Sequence, residues 1–216
     1  MSKMWIIFGA LSLALAMPWA IPAMAQTPSA TPQAQADDRI LGKADAPVTV
    51  FEYASLTCPH CADFDENTLP QIKRDWIDTG KVRLIFRDFP LDIAAVRGAM
   101  LARCAPPEQF FAFLDVLFRG QESWGHYDEP NQTARADKAD QSLSKYAKLA
   151  GMSDDVFKAC TANTALQQSI LNERIAGERQ YGVESTPTFF INGVKFEGAQ
   201  PYAAFQKALT AAAGKQ

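Results

Sequence analysis

The pattern of apolar and polar positions predicts a strand, a helix and a second strand in the first part of the folded chain. Residues 47–55 and 81–90 are rich in β-branched and aromatic side chains, a composition typical of strands. Between them, residues 61–77 carry apolar side chains at roughly helical spacing. Pro70 lies inside this helix and is expected to kink or break it. This order of elements favours a parallel crossover unit.

Residues 91–175 change to a helical pattern that no strand signal interrupts. The clearest apolar stripe consists of Phe110, Phe113, Leu114, Leu117 and Phe118. A strand pattern returns at residues 186–198, where two short runs flank Asn192 and Gly193, a strong hairpin signal. Residues 201–214 then predict a closing amphipathic helix. The predicted order is β-α-β, a helical block, and β-β-α.

Residues 1–25 have the features of a secretory signal peptide. Lys3 supplies a positive charge, residues 4–17 are almost entirely apolar, and a small-x-small cleavage site ends at Ala25. An uncleaved membrane anchor is the alternative, but the apolar run is shorter than the about 20 residues of a span. Residues 26–38 are rich in Pro, Ala, Gln and Thr, which predicts a flexible tether. We expect the mature protein to be periplasmic, where disulfides persist.

Length and charge narrow the possible classes of protein. The chain has 216 residues, 48% of them apolar, and a formal net charge of −3. This length allows one medium domain, or one domain with an insertion, and its core needs no metal for stability. No long run of Lys and Arg is present in the sequence, which argues against a nucleic-acid partner.

Candidate chemistry centres on Cys58 and Cys61, which Pro59 and His60 separate. A zinc site needs four ligands, but the sequence has no second C-x-x-C and only two histidines. Haem attachment needs a histidine after the second cysteine, where Ala62 stands. A permanent structural disulfide would constrain only a very small loop. These counts favour a redox dithiol, with no metal and no cofactor expected.

A redox dithiol gives the two cysteines unequal roles. Cys58 follows a strand and opens a helix, where unpaired N–H groups and the helix dipole stabilise a thiolate. Pro59 suits the first helical turn, and His60 adds positive charge or a hydrogen-bond donor near the sulfur. We therefore expect Cys58 to be exposed and activated, and Cys61 to be the more buried, resolving thiol. Stabilising the reduced form makes the disulfide easy to donate.

Two segments resemble the DsbA family of exported thiol–disulfide oxidoreductases. They are FEYASLTCPHCADF at residues 51–64 and ESTPTFFING at residues 184–193, and the resemblance spans residues 39–209. It implies an α/β architecture, a thioredoxin-like fold with an inserted α-helical domain. The implied divisions are residues 39–90 and 176–214 for the thioredoxin-like domain and residues 91–175 for the helical insertion.

The resemblance also implies roles for residues around the cysteines. Pro187 matches the family's cis-proline beside the active-site disulfide, and the backbone of Thr186 would pair with an extended substrate. Glu52 matches a buried acid that relays a proton to Cys61, with its pKa raised by burial; an exposed strand residue is the alternative. Asp65 matches a second acid near the motif, with an ordinary surface charge as the alternative.

The other two cysteines, Cys104 and Cys160, both fall in the helical block. An even number of cysteines in an oxidising compartment favours a disulfide between them, with two buried free thiols as the alternative. A subset of the DsbA family carries such an extra pair. Closing this long loop would contribute about 4 kcal/mol in the chain-entropy model.

The combined expectation is a monomeric periplasmic thiol:disulfide oxidase. It would donate the Cys58–Cys61 disulfide to reduced, unfolded exported proteins through a mixed disulfide at Cys58. A DsbB-like, quinone-linked membrane protein would reoxidise it. One alternative is an isomerase or reductase of the same fold; such relatives usually carry an N-terminal oligomerisation region, where this chain has only the tether. Another is a binding or chaperone module with a structural C-x-x-C.

Overall fold

A five-stranded mixed sheet, with the strand order β1-β3-β2-β4-β5, forms the centre of the structure. The computed structural model describes Met1 and residues 30–214. Strands β2 and β3 are parallel, as the sequence predicts, and the other neighbouring pairs are antiparallel. The strands are β1 (Arg39–Leu41), β2 (Val48–Ala54), β3 (Val82–Asp88), β4 (Thr188–Ile191) and β5 (Val194–Glu197).

Alternation along β2 directs its side chains to two different cores. Val50 belongs to a core shared with the helix that follows β2 and with the C-terminal helix α9 (Tyr202–Ala213). Phe51 and Tyr53 belong to a core on the opposite face, which the end of the helical block covers. Glu52 shares the face of Val50, so the strand directs a carboxyl into the apolar side of the sheet.

The helix that follows β2 continues past Pro70. Its segments are α1 (Pro59–Asp63), a π-helical turn (Phe64–Thr68), α2 (Leu69–Ile72) and a second π-helical turn (Lys73–Ile77). The N–H of Leu69 donates to the carbonyl of Phe64, five residues earlier, and Pro70 then lies in the first turn of α2. A proline is tolerated there because the N–H it lacks has no helical partner. Of the two expectations for Pro70, the break does not occur; the helix continues, with a π-helical turn directly before α2.

Helices occupy the region between β3 and β4. The helix α8 extends six residues beyond the boundary predicted at residue 175, so that boundary falls inside a helix. A disulfide between Cys104, at the end of α3, and Cys160, in α7, joins two parts of this block, with a Cα–Cα distance of 6.2 Å. The helices are α3 (Ile93–Cys104), α4 (Phe110–Arg119), α5 (Gln121–Trp124), α6 (Gln132–Leu149), α7 (Asp154–Thr161) and α8 (Thr164–Tyr181).

Residues 30–38, here called the N-terminal strap, pack against the sheet. Pro32 is buried, and the carbonyl of Gln33 accepts a hydrogen bond from Arg87 at 3.1 Å. The buried side chains of Arg87 and Asp38 form an ion pair at 2.7 Å. In the segment predicted as a flexible tether, these polar contacts join Gln33 and Asp38 to Arg87, although no hydrophobic period marks the segment. Residues 26–29, and all of the predicted signal peptide except Met1, lie outside the described residues.

None of the helices in the described part of the chain is both long and apolar enough to cross a bilayer.

Candidate active site

Cys58 lies at the junction between β2 and α1, where the chain passes from a strand into a helix. Its backbone is extended, with φ −87° and ψ 120°, and Pro59 begins the helix. The carbonyl of Cys58 accepts hydrogen bonds from the N–H groups of Cys61 and Ala62 at 3.1 and 3.2 Å. Cys58 is therefore the N-cap of α1, and its side chain lies beside the unpaired N–H groups of the first turn.

Both cysteines are free thiols and both are buried, Cys58 at 4% and Cys61 at 0% exposure. The expectation that Cys58 is exposed is therefore wrong, although Cys61 is the more buried of the two, as predicted. The two cysteines pack with the core of the helical block, and the Cys58 thiol donates to the carbonyl of Thr186 at 3.4 Å. The local sequence places Cys58 at a helix end, and residues from distant parts of the chain bury it there.

The two thiols have opposite pKa shifts. A hydrogen bond from the Cys61 side chain, supported by the side chain of Thr186 and the backbone N–H groups of Cys61 and His60, lowers the pKa of Cys58 to about 5, against the opposing effect of burial. Burial, followed by interaction with the Cys58 sulfur and the charge of Glu52, raises the pKa of Cys61 well above its usual value. At neutral pH Cys58 is a thiolate and Cys61 a thiol.

The loop before β4 supplies the second side of the site. The peptide bond between Thr186 and Pro187 is cis, and the Thr186 carbonyl faces Cys58. The hydroxyl of Thr186 is buried and has no hydrogen-bond partner among the described residues. When Cys58 is ionised its sulfur no longer donates to Thr186, and this hydroxyl is the neighbouring group free to donate to the sulfur.

His60 has an exposed side chain. Its backbone N–H donates to the Cys58 sulfur and contributes to lowering the Cys58 pKa. The position after Pro59 therefore acts on the sulfur through the main chain in this structure.

Two buried carboxyl groups, Glu52 of β2 and Asp65 of the helix that carries the cysteines, interact with each other, and Glu52 interacts with Cys61. Glu52 is 3% exposed, and burial, followed by the charge of Asp65, raises its pKa well above the usual value. Asp65 is 8% exposed, and burial, followed by the neighbouring Asp115 of α4, raises its pKa to about 7. The surface alternatives for both residues are therefore wrong. Asp65 lies where α4 packs against the start of the helix that carries the cysteines. Glu52 lies on the face of β2 that this helix and α9 cover.

Comparison with known proteins places these features in a family. A thioredoxin family model matches residues 34–211. The crystal structure of alpha-DsbA1 from Wolbachia pipientis superposes with a TM-score of 0.75 and 33% sequence identity, covering 84% of this chain and 94% of that one. The chain belongs to the DsbA-like thioredoxin family. The predicted α/β thioredoxin-like fold with a helical insertion is thereby confirmed.

Two further relatives are named as a disulfide isomerase and as a disulfide oxidoreductase. The structure of a protein-disulfide isomerase from Novosphingobium aromaticivorans has a TM-score of 0.72 and 26% identity, covering 82% of this chain and 97% of that one. A putative protein-disulfide oxidoreductase from Rickettsia bellii is 28% identical over 162 residues, which are 74% of this chain and 59% of that protein. The match thus spans less than two thirds of the Rickettsia protein.

Polar side chains of the helical block also reach the DsbA-like site. Gln121 and Tyr127 donate hydrogen bonds to backbone carbonyls of the loop that precedes Cys58, and Asp92 accepts one from Thr57 of that loop. Sequence reasoning missed all three residues. They lie more than 30 positions from the loop, and only the N-cap position of Asp92 on α3 has a local sequence signal.

No group of three or more His, Cys, Asp and Glu side chains is placed to hold a metal ion within Met1 and residues 30–214. His126, the histidine outside the C-x-x-C, forms a hydrogen bond of 2.9 Å with Ser142 of α6.

Proposed function

We propose that this DsbA-like protein is a periplasmic thiol:disulfide oxidase that donates the Cys58–Cys61 disulfide to reduced exported proteins. The observation that carries this proposal is the unequal ionisation of the two cysteines. A low pKa at Cys58 stabilises the dithiol form relative to the disulfide, so the oxidised protein favours giving its disulfide away. The oxidised form is the donor, and the dithiol form is its product.

Transfer proceeds by two exchanges at sulfur. A client thiolate attacks the Cys58 sulfur, the Cys58–Cys61 bond breaks, and Cys61 leaves and takes up a proton. The product is a mixed disulfide between the client and Cys58. A second client thiolate then attacks the client sulfur of this bond, which releases the oxidised client and the Cys58 thiolate. Cys58 is a good leaving group in the second exchange because its pKa is low.

Substrate recognition is proposed to use the loop before β4. An extended client segment would pair with the backbone at Thr186 and Pro187, next to the Cys58 sulfur, by addition of a strand. The thioredoxin-like domain would supply the cysteines and the loop before β4, and the helical block would cover this site. We propose that this domain consists of residues 39–90 and 176–214, without the last turns of α8. We further propose that the protein acts as a monomer and that a DsbB-like membrane protein reoxidises it.

The experiment that tests the donor role is an equilibrium with glutathione. A strong oxidant remains largely reduced at glutathione ratios that oxidise a reductant of the thioredoxin type. The isomerase alternative is favoured by the name of the Novosphingobium relative. An isomerase would restore activity to a client with scrambled disulfides, whereas the proposed oxidase would act on the fully reduced client. A strongly reducing potential, with activity on scrambled disulfides alone, would overturn the proposal.

The pH dependence of the reduction potential is expected to change near pH 5. Below the pKa of Cys58, reduction consumes two protons with two electrons; above it, Cys58 stays a thiolate and only Cys61 takes up a proton. The potential should therefore fall by about 59 mV per pH unit below this point and by about 30 mV above it. Glutathione keeps both thiols protonated over this range, so its potential falls by about 59 mV per pH unit throughout. In exchange with glutathione, the depressed Cys58 pKa therefore favours the protein dithiol increasingly as pH rises above about 5.

Measurements against glutathione from about pH 4 to about pH 8 would locate this break. The Asp65→Asn variant is the matched control, since it removes the nearby carboxyl that titrates at about 7 and should keep the break near pH 5. A single slope of about 59 mV up to neutral pH would contradict the ionisation of Cys58.

Substitution of Glu52 by Gln is expected to slow disulfide transfer by about a hundredfold, the lower end of what a positioned proton carrier contributes. Cys61 is a poor leaving group because its pKa is raised, so its departure depends on a proton source, and Glu52 is a buried acid whose charge raises that pKa. The measurement is the rate of client oxidation at neutral pH, with Glu108→Gln, at an exposed position, as the control for loss of a carboxylate.

The same Glu52 variant should unfold less readily than the unaltered chain at neutral pH. The folded pKa of Glu52 is raised, so its contribution to stability is fully present below the unfolded value of 4.5 and is lost as pH rises toward the folded value. The stability advantage of glutamine should therefore vanish in acid. A variant with unchanged transfer rate and a changed stability would assign Glu52 a structural effect alone.

A further inference from the structure

The loop of residues 55–57, which precedes Cys58, is buried and accepts hydrogen bonds from polar side chains of the helical block. Ser55, Leu56 and Thr57 are each at most 4% exposed, so water has little access to their carbonyl groups. A buried carbonyl needs a hydrogen-bond donor, because leaving it unsatisfied costs free energy. The side chains of Gln121 and Tyr127 donate to the carbonyls of Leu56 and Thr57, which pair with no neighbouring strand in the described part of the chain.

We infer that Tyr127 and Gln121 are positioning residues that set the ionisation of Cys58 through the backbone of this loop. The inference rests on the proposed thiol chemistry of the site and extends it to two residues more than 60 positions away in sequence. Neither residue is required to touch the client; both act through the peptide groups that carry the nucleophile.

The contacts converge on three consecutive peptide groups. The Tyr127 hydroxyl donates to the carbonyl of Thr57 at 3.0 Å, the shortest bond of the set. The amide nitrogen of Gln121 donates to the carbonyls of Leu56 and Cys58 at 3.4 and 3.3 Å. The hydroxyl of Tyr127 also lies 3.3 Å from the side-chain oxygen of Gln121, so the two residues form one network.

A second layer fixes the position of Tyr127. The guanidinium of Arg135 lies 5.4 Å from the centre of the Tyr127 ring and forms an ion pair with Asp92 at 3.1 Å. Asp92 in turn accepts a hydrogen bond from the hydroxyl of Thr57 at 2.8 Å. Thr57 is thus bound at two points, its carbonyl by Tyr127 and its hydroxyl by Asp92. Asp92 is the N-cap of α3, and Arg135 of α6 contacts both Tyr127 and Asp92.

The electrostatic consequence concerns the thiolate. A carbonyl oxygen is the negative end of a peptide dipole, and Thr57 directly precedes Cys58. The Tyr127 hydroxyl, by donating to this oxygen, offsets the negative potential of the oxygen near the sulfur and holds the peptide group that directly precedes Cys58. Burial, followed by the charge of Glu122, raises the pKa of Tyr127 to about 12, so the hydroxyl keeps its proton wherever Cys58 titrates.

The Tyr127→Phe variant tests this inference, because it removes the hydroxyl and keeps the ring. We expect the Cys58 pKa to rise and the equilibrium with glutathione to shift by about threefold to tenfold toward the disulfide, the range of one hydrogen bond. The readouts are thiolate absorbance during a pH titration and the glutathione ratio at half reduction. Gln121→Met provides a second variant with the same expected direction, and the double variant should shift by less than the product of the two.

The matched control is Tyr202→Phe, which removes a hydroxyl that donates to Asp75 at 2.6 Å near the far end of the helix begun at Cys58. It should leave the Cys58 titration unchanged. Equal titrations for Tyr127→Phe, Gln121→Met and the unaltered chain would overturn the inference. The readouts need the protein and glutathione, and no client. An unaltered chain with an acidic Cys58 but no transfer would therefore refute the proposed function and leave the inference standing.

Discussion

Replacing Cys58 by serine is expected to reduce disulfide transfer by at least about a thousandfold. A serine hydroxyl cannot form the mixed disulfide, and the remaining Cys61 cannot substitute for the lost sulfur. Cys61 has no exposed surface, and its raised pKa leaves little thiolate at neutral pH. The measurement is the rate at which an oxidised sample of each variant restores disulfides to a reduced, unfolded client.

The Cys61→Ser variant is the matched control for this result. Its serine hydroxyl can replace the Cys61 thiol as a hydrogen-bond donor to Cys58, and the N–H groups of the first helical turn remain. The Cys58 thiolate then attacks a disulfide-bonded client and displaces one client thiolate. The resulting mixed disulfide should accumulate, because no Cys61 thiol is present to release it, and should be detectable as a covalent adduct by mass. Activity on reduced, unfolded clients that stays intact in Cys58→Ser would instead support a binding or chaperone module in which the C-x-x-C is structural.

Loss of the Cys104–Cys160 disulfide is expected to lower the free energy of unfolding by about 4 kcal/mol. The two cysteines are 56 positions apart, and cross-linking a loop of this length removes much of the conformational entropy of the unfolded chain. The bond ties the end of α3 to α7, so its loss should destabilise the helical block. Urea unfolding, followed by a signal from the secondary structure, measures the change.

The cleanest background for this measurement is the Cys58→Ser/Cys61→Ser chain. There a reducing agent breaks only the bond between Cys104 and Cys160, without deleting buried atoms. The Cys104→Ala/Cys160→Ala chain then reports the added effect of lost packing, chiefly at Cys160, which is 4% exposed. A change below about 1 kcal/mol on reduction would show that the reduced chain retains the constraint by other contacts.

The strands that the sequence predicts are those with a local signal, either a run of β-branched and aromatic residues or a hairpin turn. Strand β2 and the hairpin of β4 and β5 carry such signals, and Asn192 and Gly193 both have the positive φ that the turn between them requires. Strand β1 has only three residues and no recognisable period. Strand β1 forms by antiparallel pairing with β3. The two strands are far apart in sequence, so this pairing gives no signal in the pattern of residues 39–41.

The functional residues also divide into those with a local sequence motif and those whose environment depends on distant contacts. Cys58, Cys61 and Pro187 were identified from short motifs, since the chemistry of a dithiol and of a proline is local. The burial of Cys58 and Asp65 was not, because exposure depends on what packs over a helix end. Asp65 is covered by α4, whose Asp115 raises its pKa, and Cys58 by a loop 128 positions away.

Tyr127 and Gln121 show the limit most clearly. A tyrosine in a loop and a glutamine at the start of a short helix have no distinguishing sequence context. Their donors matter only because the fold brings three carbonyl groups within reach. Hydrogen bonds that satisfy a distant backbone have no periodicity, and they become visible only in the assembled structure.

The contact between the Cys58 sulfur and the Thr186 carbonyl also constrains the order in which the site is assembled. Synthesis makes Cys58 early, but the strand β4 that closes the sheet beside β2 is made 128 positions or more later. A nascent chain therefore carries its C-x-x-C for most of its elongation without the loop that covers the sulfur. The burial of Cys58 is therefore completed only when residues 186–191 join the sheet, near the end of folding of the whole chain.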